Sequence, residues 1–402
     1  MSASGRKQTS RILNGRQMIE KIVAALLIAT GTLLSPGCVG IGSSRPDILT
    51  LPVGDPERKG QQVSVQVDAV VNTLSGSTLS PQALSKHLAD ARLILIAEQH
   101  TNLEDHRIQL RVLELLQETE RPLVIGLEMF EVEDQPILNA WIAGRVTEPD
   151  FIVQSDWYGS WGYHWGYYRE ILLFARAHAI PLVALSGPWE VVSETGVEPD
   201  LSSQDHRSLF RAFFETDDPV HGGLQEDQFE ELFAAQCRRD AVMAFNVAEA
   251  LEAHPDTTVV VLAGIGHVVY ELGIARQIQE WYEGPVTTIV PVSVGDANTR
   301  VRASIGDFAW GVPEMTDPAF PELGAVSVRV EGGLHVIHVE PDSPAERGGL
   351  ETGDVLTRFK DVAITAKPDL NRTLATVKWG DEVALIIQRA GAPRDLTLTF
   401  QR

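Results

Sequence analysis

The sequence predicts an α/β fold: a mainly parallel sheet flanked by helices, followed by a smaller β-rich domain. Three observations predict it. Short apolar runs alternate with helical patterns from about residue 93 to residue 292. Residues 305–324 then carry three prolines and break the alternation. Beyond about Ala325 short strands and turns take over.

The elements follow in order. Residues 93–97 are apolar without breakers and read as a buried strand, and residues 103–119 carry a helical pattern. Residues 123–127 give a second strand and 136–143 a short helix. Residues 167–178 give a helix that stops before Pro181, and 181–185 a third strand. A long helical stretch, 226–253, precedes a fourth strand at 257–263 and a fifth at 286–292. Later strands fall at 326–330, 334–339, 355–359, 382–389 and 396–400. The expected organisation is a main domain over 75–300, a linker over 301–324 and a second domain over 325–402.

The chain has 33 basic and 55 acidic side chains, a formal charge of −22. Duplex nucleic acid is therefore excluded as a partner, since it requires a basic face. The charge is distributed unevenly. Arg6, Lys7, Arg11, Arg16 and Lys21 form a basic start, followed by an apolar run over 22–34 that is short for a bilayer span. Gly37-Cys38 follows. This pattern resembles a bacterial lipoprotein signal over residues 1–37, with Cys38 lipidated, although Ser35 stands where leucine is usual. An ordinary secretory signal is the simpler alternative. Residues 38–74 then read as tether and linker. The expected location is the cell envelope, lipid-anchored at the bacterial outer membrane or in the periplasm. The second cysteine is Cys237, so a lipidated Cys38 leaves no intramolecular disulfide.

In open α/β sheets ligands bind beyond the carboxyl ends of the strands. The first strand ends on Glu98 and His100, the second on Glu128, and the fourth on Gly264, Gly266 and His267. Carboxylates and imidazoles meeting at one sheet edge suit a divalent metal ion or acid–base chemistry. Each residue alone has a simpler role in capping a helix or facing water.

Three motifs carry a family resemblance: AEQH at 97–100, GLEMF at 126–130 and AGIGH at 263–267. In that order they resemble the ChaN family of bacterial haem-binding lipoproteins, related to the Tiki, TraB and erythromycin-esterase-like proteins. The group pattern is Gly-x-x-His, a later Glu, and a second Gly-x-x-His. Residues 264–267 and Glu128 match it, whereas Ala97 replaces the first glycine. The ChaN resemblance implies haem binding, a role in iron uptake, a tyrosine ligand to iron and a homodimer. The Tiki resemblance implies instead a metal-dependent hydrolase using Glu98, His100, Glu128 and His267.

Residues 156–178 hold four of the six tyrosines and three of the eight tryptophans. A flat apolar macrocycle needs aromatic walls, and ferric haem accepts a phenolate. Within the resemblance, Tyr168 is the first choice of ligand and Tyr167 the second. His164, four residues before Tyr168, would support the phenolate if one helix carries both. Arg169, Arg176 and Arg239 are candidates for haem propionates, with surface ion pairing the simpler account.

Residues 325–402 resemble a bacterial-type PDZ domain through GGLHVIHVEPDSPAERGGLETGDVL and the later GDEVALIIQRAG. That resemblance implies capture of a peptide or protein C-terminus by strand addition. Gly332, Gly333 and Leu334 are the expected carboxylate loop, His335 and Val336 begin the expected open edge, and Leu374 is the expected pocket residue.

Overall fold

The computed structural model describes residues 48–402, apart from Glu120, residues 214–224 and Asp296. The expected signal over 1–37 and Cys38 lie outside the described residues. The described chain divides into two compact units, the second covering 320–402.

The first unit is built on ten strands: β1 Gln62–Val65, β2 Val70–Asn72, β3 Thr78–Leu79, β4 Leu93–Glu98, β5 Leu123–Glu131, β6 Leu182–Ser186, β7 Thr258–Gly264, β8 Val286–Val294, β9 Thr299–Arg302 and β10 Phe308–Pro313. Eight of them form one sheet in the order β3-β2-β10-β8-β4-β7-β5-β6. From β10 to β6 every pairing is parallel, while β2 and β3 add an antiparallel edge. Every residue of β4 and of β7 is buried. Side chains alternate between the faces of a strand, so both faces are covered; that explains runs apolar throughout rather than alternating.

Two expectations are corrected here. Residues 62–74 are not all tether, because β1 pairs with β9 and β2 joins the main sheet. Residues 301–313 are not linker, because β10 continues the parallel sheet beside β8, Phe308 opposite Ile289. Of the three prolines that suggested a break, Pro313 stands at the exposed last position of β10 and the others lie beyond it. Proline is tolerated there because no further ladder bond is asked of its nitrogen.

The helix Leu103–Gln117, here α1, starts at Asn102, whose side chain accepts from the Glu104 N–H. It buries Ile108, Val112, Leu113 and Leu116, and with them the polar Asp105, His106 and Gln109. The helix expected over 167–178 is shorter. It runs Arg169–Ala177, here α2, with Tyr168 at its N-terminal boundary. Helix α3, Glu226–Ala253, is the long one expected.

The second unit is an antiparallel sheet of β11 Ala325–Val330, β12 Gly333–Val339, β13 Val355–Phe359, β14 Val362–Ala363, β15 Glu382–Arg389 and β16 Ala392–Thr399. The order is β11-β12-β13-β15-β16, with β14 on β13. Leu334, Val336, Leu356, Phe359, Leu385, Ile387, Leu398 and Phe400 fill its core. Arg389 ties the buried Asp354 through two hydrogen bonds of 2.7 Å, one to each oxygen.

Candidate functional site

The order β4-β7-β5 sets three strand ends side by side, with Glu98 level with Gly264. Glu128, on β5, accepts from the Gly264 N–H at 2.6 Å. A Cβ on Gly264 would stand 3.0 Å from His100 Nε2, 2.8 Å from His100 Cε1 and 3.4 Å from Glu128 Oε2. Glycine is required here by close approach, and the three sequence motifs meet at this point. His267 follows on the short helix Ile265–Val268 and places Nε2 3.2 Å from Glu128 Oε1. Glu98, His100, Glu128 and His267 are thus brought together, each 4% exposed or less.

Glu98 is a hub. Its Oε1 accepts from the Tyr168 hydroxyl at 2.6 Å and from His100 Nδ1 at 2.8 Å. Its Oε2 accepts from Gln109 Nε2 at 2.7 Å and lies 3.3 Å from His106 Nδ1. Burial would raise the Glu98 pKa, but the His106 charge and hydrogen bonds from His100 and His106 outweigh it and hold it well below the carboxylate range. An ionised carboxylate only accepts, so His100 carries its proton on Nδ1 and turns a bare Nε2 towards Gly264. His106 Nε2 meets the His100 carbonyl at 3.1 Å, which fixes the next shell.

The second pair is ionic. His267 Nδ1 lies 2.5 Å from Asp240 Oδ1, and Arg239 donates to Glu128 Oε1 at 2.9 Å. Burial would lower the His267 pKa, but Glu128 and then Asp240 push it up to about 9. Burial would raise the Glu128 pKa, but His267, His100 and Arg239 bring it down to about 2. His267 and Glu128 therefore form a buried ion pair at neutral pH.

Sequence reasoning did not find Asp240, Arg239, His106, Gln109 or Asp105. A signal existed on α1, where Asp105, His106 and Gln109 share the face of Ile108, Val112 and Leu113. Asp105 accepts from the Gln99 N–H at 2.8 Å, and burial pushes its carboxyl up to about 7. Among the described residues no group of three or more His, Cys, Asp or Glu side chains is arranged to hold a metal ion. The strand-end oxygens face Tyr168, Gln109, Arg239 and a backbone N–H instead.

Residues 84–278 match the family model described as haem-binding uptake, Tiki superfamily, ChaN, and residues 321–400 match the PDZ domain model. The chain carries a ChaN-type domain of the Tiki superfamily and a C-terminal PDZ domain. A probable periplasmic serine protease, do/HhoA-like, of Haemophilus influenzae is 31% identical over 77 residues, 19% of this chain. The match spans only 16% of that relative's length. Among solved structures, one of cofacial haem binding to ChaN of Campylobacter jejuni has a TM-score of 0.48 and 17% identity, covering 61% of this chain and 98% of that one. The serine endoprotease from Yersinia pestis has a TM-score of 0.18 and 23% identity, covering 20% of this chain and 28% of that one.

Haem in a ChaN-type domain needs apolar walls and a ligand that reaches iron. Tyr168 does not present one: it is 2% exposed, its hydroxyl is committed to Glu98, and burial with the Glu98 charge raises its pKa well above 10. Tyr167 is 3% exposed, against His106. His164 is not on the helix of Tyr168; it precedes it and accepts the Gly166 N–H at 3.0 Å. Arg239 serves Glu128, Arg169 pairs with Glu148, and Arg176 stacks on Trp141. The outer part of the aromatic segment does suit a macrocycle. Tyr158, Trp161, Tyr163 and His164 each keep part of their surface open. The rings of Trp161 and Tyr163 lie 4.7 and 5.0 Å from that of His100. The residues present fit haem at this outer rim, with Tyr163 or Tyr158 as ligand and Tyr168 behind.

The PDZ domain corrects the expected peptide site. Strand β12, which contains Leu334, His335 and Val336, is paired on both sides, by β11 and by β13. It offers no open edge. Gly332 has φ +88° and forms the turn between Val330 and Gly333, so these glycines close a hairpin rather than cradle a carboxylate. The open edge is β11, the first strand in the order. Leu374 packs half-buried against the core, as does Ala325 at the start of β11.

Proposed function

We propose that the ChaN-type domain binds haem in haem or iron uptake, as a homodimer, and that the PDZ domain captures a peptide or protein C-terminus. The observation that supports the haem reading is the partly open face of Trp161, Tyr163 and His164 in front of His100. The apolar rings would bury the macrocycle, and a phenol of that face would reach ferric iron. The basic start, the apolar run and Gly37-Cys38 support a lipid-anchored protein of the cell envelope. The test is to add hemin to protein lacking residues 1–38. A tyrosinate charge-transfer band that disappears in Tyr163→Phe is the expected result. Uptake no better than by a nonspecific control protein refutes the reading.

A second reading is favoured by a separate observation. Glu98 orients His100 with Nε2 bare, next to the Glu128–His267 pair. That is the arrangement of an imidazole base beside an ion pair, suited to activating water for hydrolysis. It uses Glu98, His100, Glu128 and His267 without asking them to share a metal, and the PDZ domain would deliver a peptide substrate. Ester or peptide hydrolysis that survives metal chelation and is lost in His100→Ala would support it.

A further inference from the structure

The PDZ domain holds two half-buried carboxyls beside its open strand. Glu322 stands just ahead of Leu323, Gly324 and β11. Glu340 stands just after β12, and its N–H donates to the Gly324 carbonyl at 2.9 Å. The Leu323 carbonyl accepts from the Ala345 N–H at 3.0 Å, and Ser343 Oγ also donates to Gly324 at 3.2 Å. The loop carbonyls are thus turned inward and held. The N–H groups of Leu323 and Gly324, by contrast, pair with nothing among the described residues. Gly324 adopts φ +73°, and a Cβ there would strike Ser343 Cβ at 2.1 Å. Two successive unpaired amides at the head of an open edge strand make a cradle for an anion, in particular the end of an added strand.

Glu322 brings charge to that cradle. Burial, and then the Glu340 charge, push its carboxyl up to about 7, and no other titratable group acts on it. Burial also raises Glu340, against the opposing effect of His338. The α-carboxyl of a peptide titrates near 3.5, roughly, and stays charged throughout the neutral range. Of the two groups meeting at the cradle, Glu322 is the one that changes.

We propose that the PDZ domain is a proton-gated receptor for an extended peptide with a free C-terminal carboxylate, which enters the Leu323–Gly324 cradle when Glu322 is neutral. This rests on the reading of the domain as a peptide binder. Protonated Glu322 can donate a hydrogen bond to the incoming carboxylate; ionised Glu322 repels it. Capture therefore weakens as the pH rises through neutrality.

The experiment uses the full chain and two octapeptide pools randomised at their last four positions, one with free carboxylates and one amidated. Binding is measured by equilibrium dialysis from pH 5.5 to 8.5. The expected result is a fall of about tenfold for the free-acid pool between pH 6 and pH 8, as for like charges meeting near a protein surface. The amidated pool should bind weakly and without pH dependence. Glu322→Gln should hold the free-acid affinity at its pH 6 level across the range. Glu340→Gln, which removes the charge acting on Glu322, should move the midpoint down and serves if the first variant misfolds. Free-acid binding that is flat with pH overturns the gate and leaves the peptide reading intact. No binding of either pool at any pH overturns the peptide reading, and the gate with it.

Discussion

The Tyr168 hydroxyl donates to Glu98 Oε1 at 2.6 Å, from a ring that is 2% exposed. A tyrosine that the sequence offers to solvent and to iron is instead the back wall of the strand-end site. Four side chains converge on the one carboxylate: Tyr168, His100, Gln109 and His106. Such a network is stiff because each member satisfies the next, and a bare buried carboxylate would be costly.

Tyr168→Phe keeps the ring and removes one donor from Glu98. His100 still serves the same oxygen, so the expected cost is about 1–3 kcal/mol, measured by urea unfolding. Haem uptake should persist, and the tyrosinate band should instead be lost in Tyr163→Phe. A band lost in Tyr168→Phe with the fold intact would return the ligand to the buried tyrosine.

Gly264→Ala places a methyl 2.8 Å from His100 Cε1, closer than real Cβ contacts come. Backbone of β7 and the hydrogen bond to Glu128 prevent retreat on one side, so His100 must move. The expected loss is about 1–3 kcal/mol of stability, the usual cost of overpacking. A shift of the His100 imidazole resonances should accompany it, and unchanged resonances would contradict the close approach.

Why some of this could be read in the sequence, and some not, follows from the range of the interactions. Strands β4 and β7 are uniformly apolar because both their faces are buried, so they are visible one residue at a time. The four strand-end residues are visible for the same reason: the strand stops and polarity begins. Strand β10 is different. Phe308–Pro313 is short, holds Gly311 and ends in proline, and becomes a strand through its register with β8. Asp240 and Arg239 reach His267 and Glu128 from a helix whose own pattern gives no hint of them. Tyr168 was visible as an aromatic near a site, but its burial was settled by Glu98, seventy positions earlier.

The His267–Glu128 pair makes stability depend on pH. The His267 pKa is raised from 6.5 to about 9, so its contribution is complete below 6.5 and is lost as the pH rises through 9. The Glu128 pKa is lowered from 4.5 to about 2, so its contribution is complete above 4.5 and is lost as the pH falls through 2. The pair is worth most between pH 4.5 and 6.5. Asp105, raised by burial from 3.8 to about 7, works oppositely and loses its contribution as the pH rises over that interval. The difference between wild type and His267→Gln isolates the pair. It should shrink steadily from pH 6.5 to pH 9.5 in urea unfolding, and a constant difference would refute the ion pair.

The last prediction concerns which strand of the PDZ domain receives the peptide. Val330 and Gly333 flank the two-residue turn and exchange hydrogen bonds across it. Pairs alternate along an antiparallel ladder, so Arg329 and Leu334 form the pair without mutual bonds. The Arg329 N–H therefore points away from β12, towards the open edge. Arg329→Pro removes this donor and leaves the β11–β12 ladder its bonds, so the domain should fold. Its binding of the free-acid peptide pool should be lost, because an added strand needs that donor. Val336→Pro is the contrasting variant. Val336 is fully buried within β12 and its N–H donates to the Asp354 carbonyl at 2.8 Å, so proline there should unfold the domain at a cost of about 3 kcal/mol or more. If Arg329→Pro folds and binds the pool as wild type does, β11 is not the receiving edge.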